Sequence, residues 1–139
     1  TKFNLSILGY EYPNAIELDD ASWLEIEIDA SDRTGKAWTA KDCCLRTCEL
    51  VLLLNWFQRI KKQDYNSSNI SFTENELSFS FKEGLYLAVI LDFRFHPNGN
   101  NYNYDKDEEY AIEFKLNDKA LDKIINSLIV HIQNYPVKK

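Results

Sequence analysis

From Phe3 to Leu8 the apolar residues Phe3, Leu5 and Ile7 alternate with polar ones, the two-residue period of a strand with one wet face. Gly9 and Pro13 end it. After an acidic connection over 14–21, Leu24, Ile26 and Ile28 alternate with Glu25, Glu27 and Asp29, which makes a second strand carrying a rail of carboxylates. Side chains two apart on a strand stand about 7 Å from each other, so the three line up without severe repulsion. The polar stretch 31–35 reads as a turn, and 36–45 as the returning strand with Trp38 as an anchor.

The period then changes to that of a helix. Leu50, Leu53, Leu54 and Phe57 follow the i, i+3, i+4, i+7 stripe, and Leu52, Trp56 and Ile60 widen it until most of the element is apolar. Thr47 is the expected N-cap, Glu49 suits the positive end of the helix dipole, and Arg59, Lys61 and Lys62 suit the other end. A polar loop over 64–69 precedes three further strands, at 70–72, 77–81 and 85–95. The last of these is apolar on both faces in its first half, the mark of a central strand. Residues 96–109 carry Pro97, Gly99, four Asn, Tyr102 and Tyr104 and end in acids, which predicts a mobile loop. Tyr110 to Leu116 returns as a strand. Asn117 or Asp118 then caps a final helix whose Leu121, Ile124, Ile125, Leu128, Ile129 and Ile132 form one stripe, stopped by Pro136.

These elements predict an α+β fold, a mainly antiparallel curved sheet of about six or seven strands packed against two helices. No internal repeat or interdomain linker is visible, so residues 1–139 are expected to form one domain. The apolar run Leu50 to Leu54 is far short of a membrane span, and the N-terminus lacks a secretory pattern. The expected location is the cytoplasm, with no membrane partner, although a chain that begins at Thr1 could have lost a leader. Oligomeric state is not legible.

Charge changes the picture more than composition does. The net charge of −6 is carried wholly by the first 35 residues, where eight acids face only Lys2 and Arg33. Such a concentration attracts basic partners and disfavours nucleic acid, whose binding rests on phosphate neutralisation. Chemistry for catalysis is sparse. The glycines form no phosphate-binding fingerprint, and no spacing joins His96 or His131 to a nucleophile. Cys43, Cys44 and Cys48 cluster within six positions, a poor disulfide framework and an incomplete zinc site, so neither metal nor cofactor is expected. Glu25 or Glu27 could pair with another acid for glycoside hydrolysis, and Tyr102 and Tyr104 with the neighbouring Asn residues could stack on sugar. Solvated carboxylates on a wet strand are the commoner arrangement.

The order of short blocks resembles a known grouping. They are Gly9-Tyr10-Glu11-Tyr12-Pro13, Asp20-Ala21-Ser22-Trp23-Leu24, Gly35-Lys36-Ala37-Trp38 and Cys44-Leu45-Arg46-Thr47-Cys48-Glu49-Leu50, the last opening a helix that contains Trp56. Phe72-Thr73-Glu74-Asn75-Glu76-Leu77-Ser78-Phe79, the strand at Tyr110 to Leu116 and the closing Tyr135-Pro136 complete the set. Together they resemble the small bacterial immunity proteins that protect a cell from its own wall-associated, contact-dependent toxin. Asn75 departs from the usual proline, and the basic end at Lys138 is looser. The resemblance implies a non-enzymatic protein that binds and neutralises the C-terminal domain of a cognate toxin by occlusion. On that reading Glu25, Glu27 and Asp29, or Asp105, Asp107, Glu108 and Glu109, meet a basic toxin domain, with Tyr102 and Tyr104 as anchors. The alternative is a small-ligand or carbohydrate-binding module.

Overall fold

In the computed structural model, which describes residues 1–138, the alternating N-terminal segments form an antiparallel meander of β1 (Lys2–Tyr10), β2 (Trp23–Ser31) and β3 (Ala37–Arg46). A one-turn helix, α1 (Leu18–Ala21), sits between β1 and β2. The inner face of β2, Leu24, Ile26, Ile28 and Ala30, is wholly shielded from solvent, while Glu25, Glu27 and Asp29 take the outer face. The later strands, β4 (Asn69–Ile70), β5 (Leu77–Lys82), β6 (Tyr86–Leu91) and β7 (Tyr110–Lys115), form a second antiparallel sheet in chain order. The seven strands and two long helices match the expected α+β class, but the strands divide into two sheets rather than one. The helices are α2 (Thr47–Lys61) and α3 (Asp118–Asn134), which pack on each other and contribute to one core with both sheets.

Cross-sheet contacts explain the joint core. Phe3 of β1 meets Phe79 of β5 edge to face at 6.5 Å, and Phe79 also touches Phe57, Trp56 and Phe72. On the other flank Trp38 of β3 packs edge-on against Tyr110 and donates its indole N–H to the Phe95 carbonyl at 2.9 Å. Asp32, in the β2–β3 turn, accepts from the Tyr110 hydroxyl as well as from Thr34 and Lys36 backbone amides. Hydrogen bonds from Thr34 and Tyr110 hold its carboxyl down at about 2. Gly84 turns the β5–β6 hairpin at φ 84°, where a Cβ would press on the Tyr86 ring at 3.3 Å.

Two element ends differ from the sequence expectation. The N-cap of α2 is Arg46, not Thr47. The Arg46 amide donates to one oxygen of the buried Glu49 carboxylate at 2.9 Å, and the other oxygen accepts from the Thr73 amide at 2.8 Å. Glu49 therefore caps its own helix and pins the 71–76 segment, while Thr47 is the first helical residue and is buried. Strand β6 stops at Leu91 rather than reaching residue 95, because the Asp92 carboxylate accepts the Phe93 amide and turns the chain into a short 3₁₀ segment, Phe93–Phe95, with Phe93 at φ 49°. Phe95 points fully inward and Phe93 outward, so the two no longer share a face. At the C-terminal helix, Asn117 caps α3 as expected by accepting the Ala120 amide at 2.8 Å. Its stripe is narrower than expected, since Ile129 is solvent-facing.

An acid pair lies where the two sheets meet. Asp42 of β3 pairs in register with the buried Ile26 and faces Glu76, which precedes β5. One Glu76 carboxyl oxygen is buried without a hydrogen-bond partner among the described residues. Burial, then repulsion from Asp42 and Glu74, raises the Glu76 carboxyl to about 7. Arg94 is the nearby cation, its Nε 4.0 Å from Asp42. A carboxyl whose pKa is raised on folding stabilises most below its unfolded value and loses that contribution as pH climbs. Stability should thus fall between about pH 4.5 and 7, by about 1 kcal/mol once partial exposure is allowed for. Glu76→Gln should flatten that slope in urea titrations; an unchanged slope would remove the pair as its origin. Asp32 and Asp107, with lowered values, act in the opposite sense at more acidic pH.

Candidate partner-binding surface

The outer face of the three-stranded sheet carries the carboxylate rail, and the structure divides it. Asp29 pairs with Lys2 at 2.9 Å, its diagonal neighbour on β1, and Glu27 lies 3.6 Å from Lys41, directly opposite on β3. Glu25 has no cationic partner within 4 Å among the described residues. Its surroundings are irregular on both sides. In β1 the register slips between Ile7 and Gly9, so Leu8 is an extra residue that points to solvent. In β3 two residues, Cys43 and Cys44, stand opposite the single Glu25 between the pairs Leu24–Leu45 and Ile26–Asp42, which leaves Cys43 on the Glu25 side. Two bulges flanking one carboxylate tilt this end of the sheet and re-aim its side chains.

The chain beyond β1 adds to the same corner. Glu11 donates its amide to the Trp23 carbonyl at 3.0 Å, which holds the segment against the start of β2. Its carboxylate lies beside the Tyr12 hydroxyl and the Cys43 thiol and raises the pKa of the phenol. Burial, followed by the Glu11 contact, pushes Cys43 up to about 12, which disfavours the thiolate. Asp20 is also close to Tyr12. Asp19 is paired with Arg46 at 3.1 Å, and Arg46 lies over the Trp23 ring and closes the far flank. Glu11, Glu17, Asp20 and Glu25 are therefore the acids of this face without an ion pair among the described residues, and they account for most of the excess negative charge.

Apolar side chains project among them. Ile16 is 96% exposed, and Tyr12, Leu18 and Leu8 are each about half exposed. Large apolar residues so placed in one short segment are unusual for a surface that meets only water. Periodicity could not find them, because residues 11–20 belong to no long element and the bulge that turns Leu8 outward leaves no mark on the alternation.

The second predicted group is differently placed. The 96–109 segment, expected to be a mobile loop, is closed by its own hydrogen bonds. Asp107 accepts from the Asn98 side chain at 2.9 Å and the Asn103 amide at 2.8 Å, which lowers its pKa. The Tyr102 hydroxyl donates to Asp92 at 2.7 Å, and that contact raises the phenol to about 12. The buried His96 accepts the Asn98 amide on Nδ1. Tyr104 stacks on Phe93 but remains mostly exposed, as do Asp105, Glu108 and Glu109. Glu109 lines a depression of about 550 Å³ with Asp32, Arg33 and Thr34. Tyr102 and Asp107 thus have structural work within the loop.

Among the described residues no three His, Cys, Asp or Glu side chains gather in a way that would hold a metal ion, and no helix is long and apolar enough to cross a membrane. The family model of the WapI-like immunity proteins matches residues 1–136. The chain belongs to the WapI-like immunity protein family. No curated protein and no solved structure matches it at a significant level. Within the short blocks that carry the resemblance, Arg46 and Glu49 form the cap of α2, Trp38 is anchored by its indole N–H, as is Trp56 in the helix that follows, and Tyr10 packs on Tyr135. These residues hold the fold of a WapI-like protein; the acidic corner lies between them.

Proposed function

We propose that the chain neutralises a toxin domain by binding over it, without catalysis of its own, and that it does so with the corner built from Glu11, Tyr12, Ile16, Leu18, Asp20 and Glu25. The observation that carries this reading is the coincidence of unpaired carboxylates with exposed apolar anchors on one corner of a WapI-like chain. The carboxylates favour a basic partner, attract it over distances comparable with the screening length, and fix its orientation. The apolar side chains supply the area that holds the complex once formed. Of the residues expected to contact the toxin, Glu25 keeps its place. Glu27 and Asp29 are second in rank because Lys41 and Lys2 already compensate them. Tyr104, Asp105, Glu108 and Glu109 form the rival face.

The test is association of the purified chain with the toxin domain encoded beside it, followed by stopped flow at low and high salt. Tight one-to-one binding with loss of toxicity is expected. The triple charge reversal of Glu11, Asp20 and Glu25 to lysine should slow association about tenfold or more at low salt, and the gap should shrink as salt rises. An on-rate that ignores both the reversal and the salt would reject the electrostatic part of the proposal. Failure of the unaltered chain to bind the toxin domain would reject the whole.

A further inference from the structure

A cavity of about 310 Å³ opens between β1, the two helices and the second sheet, and no residue of the acidic corner lines it. Its lining is mostly apolar: the half-buried Phe3 and Leu5 of β1, Phe114 of β7 and Ile124 of α3 form the open part, over the buried Leu53 and Phe57 of α2 and Val89 of β6. Water against such a lining finds few of the polar partners it needs. Its mouth is of another character. Lys123, Ser127 and His131 stand four residues apart, so they share one face of α3, and across from them runs the edge strand β1. Lys123 is the one charged residue of the lining, and none of the three side chains has a hydrogen-bond or ion-pair partner among the described residues. Burial lowers the pKa of His131, which favours a neutral imidazole at pH 7.

We propose that this cavity binds a straight-chain aliphatic carboxylate, its tail among the apolar walls and its carboxylate at the Lys123–Ser127–His131 face of α3. A cavity of about 150 Å³ holds one benzene, six carbons, so this one accepts a chain of about ten. The sign of the head group follows from Lys123, and Ser127 with a neutral His131 supplies hydrogen bonds without a competing charge. The inference is independent of toxin binding, because none of these residues belongs to the acidic corner.

Decanoate, decanol and decyltrimethylammonium, each below its micellar concentration, provide the test by calorimetry on the full chain. Decanoate should bind one to one, and the cationic analogue at least tenfold more weakly. Lys123→Gln should weaken decanoate about two- to fivefold, the range for an exposed ion pair, and leave decanol unchanged. Ser127→Trp, at an exposed position, should block the mouth and abolish binding with the melting temperature preserved. Methyl resonances of Leu53 and Val89 should move with decanoate in the unaltered chain only. The proposal is overturned if decanoate does not bind at millimolar concentration, if anionic and cationic heads bind alike, or if Ser127→Trp binds as well as the unaltered chain.

Discussion

Replacing Ile16 with aspartate and Tyr12 with alanine will weaken the complex with the cognate toxin domain by about 2–4 kcal/mol, a loss of about 30- to 1000-fold, with little change in the stability of the free chain. Both halves of that expectation follow from exposure. Ile16 is 96% exposed and Tyr12 about half exposed, so neither supports the core, and truncation costs folding little. In the proposed complex the same side chains would be desolvated, and truncating a desolvated anchor is costly. The loss should appear in the dissociation rate, in contrast to the charge reversals, which act on association. Tyr104→Ala is the control that separates the two faces. Tyr104 is the most exposed aromatic of the 96–109 loop, and its removal should leave the affinity within about twofold. If Tyr104→Ala costs more than the Tyr12 and Ile16 pair, the toxin sits on the loop and the acidic corner is a solvated face.

The strands with clean alternation and the helices with clean stripes were legible because their burial is set by period alone. Leu24, Ile26, Ile28 and Ala30 are inward as the two-residue pattern requires, and Leu50, Leu53, Phe57 and Ile60 as the helical one does. What escaped depends on contacts between distant segments. Thr47 has the right chemistry for a cap, but Glu49 reaches both Arg46 and Thr73 and takes the role. The Asp92 carboxylate ends β6 through a local bond that no hydrophobic pattern encodes. The rail was read correctly as an outward row, yet its division into compensated and uncompensated acids required the register of Lys2 and Lys41 on the neighbouring strands. The bulges at Leu8 and Cys43 gave no signal, and so the corner they shape was seen only as charge.

Trp56→Ala will be the most damaging single core change considered, costing about 3–5 kcal/mol against the 5–15 kcal/mol typical of a domain. Trp56 is 1% exposed and stands at the junction of α2 with the second sheet, its ring 5.0 Å from Phe57 and 6.3 Å from Phe79. Its indole N–H donates to the Ser67 carbonyl at 2.9 Å, which fastens the loop after α2. Truncation therefore removes packing on two aromatic rings and leaves a carbonyl without its donor. Trp56→Phe retains most of the ring contact and loses chiefly the hydrogen bond, so it should cost about 1–3 kcal/mol. Urea titration of the three proteins would show a midpoint that falls in that order with an unchanged slope; a loss below 1 kcal/mol for alanine would mean that the core closes over the site. The consequence for protection is distinct from that of the corner variants. A Trp56→Ala chain keeps every proposed contact residue, so saturating toxin should restore much of its folded population by mass action. The chain with both Tyr12 and Ile16 replaced would be folded and bind too weakly to gain as much from the same toxin concentration. Comparing the melting temperature with and without toxin thus separates a residue that holds the fold from one that meets the partner.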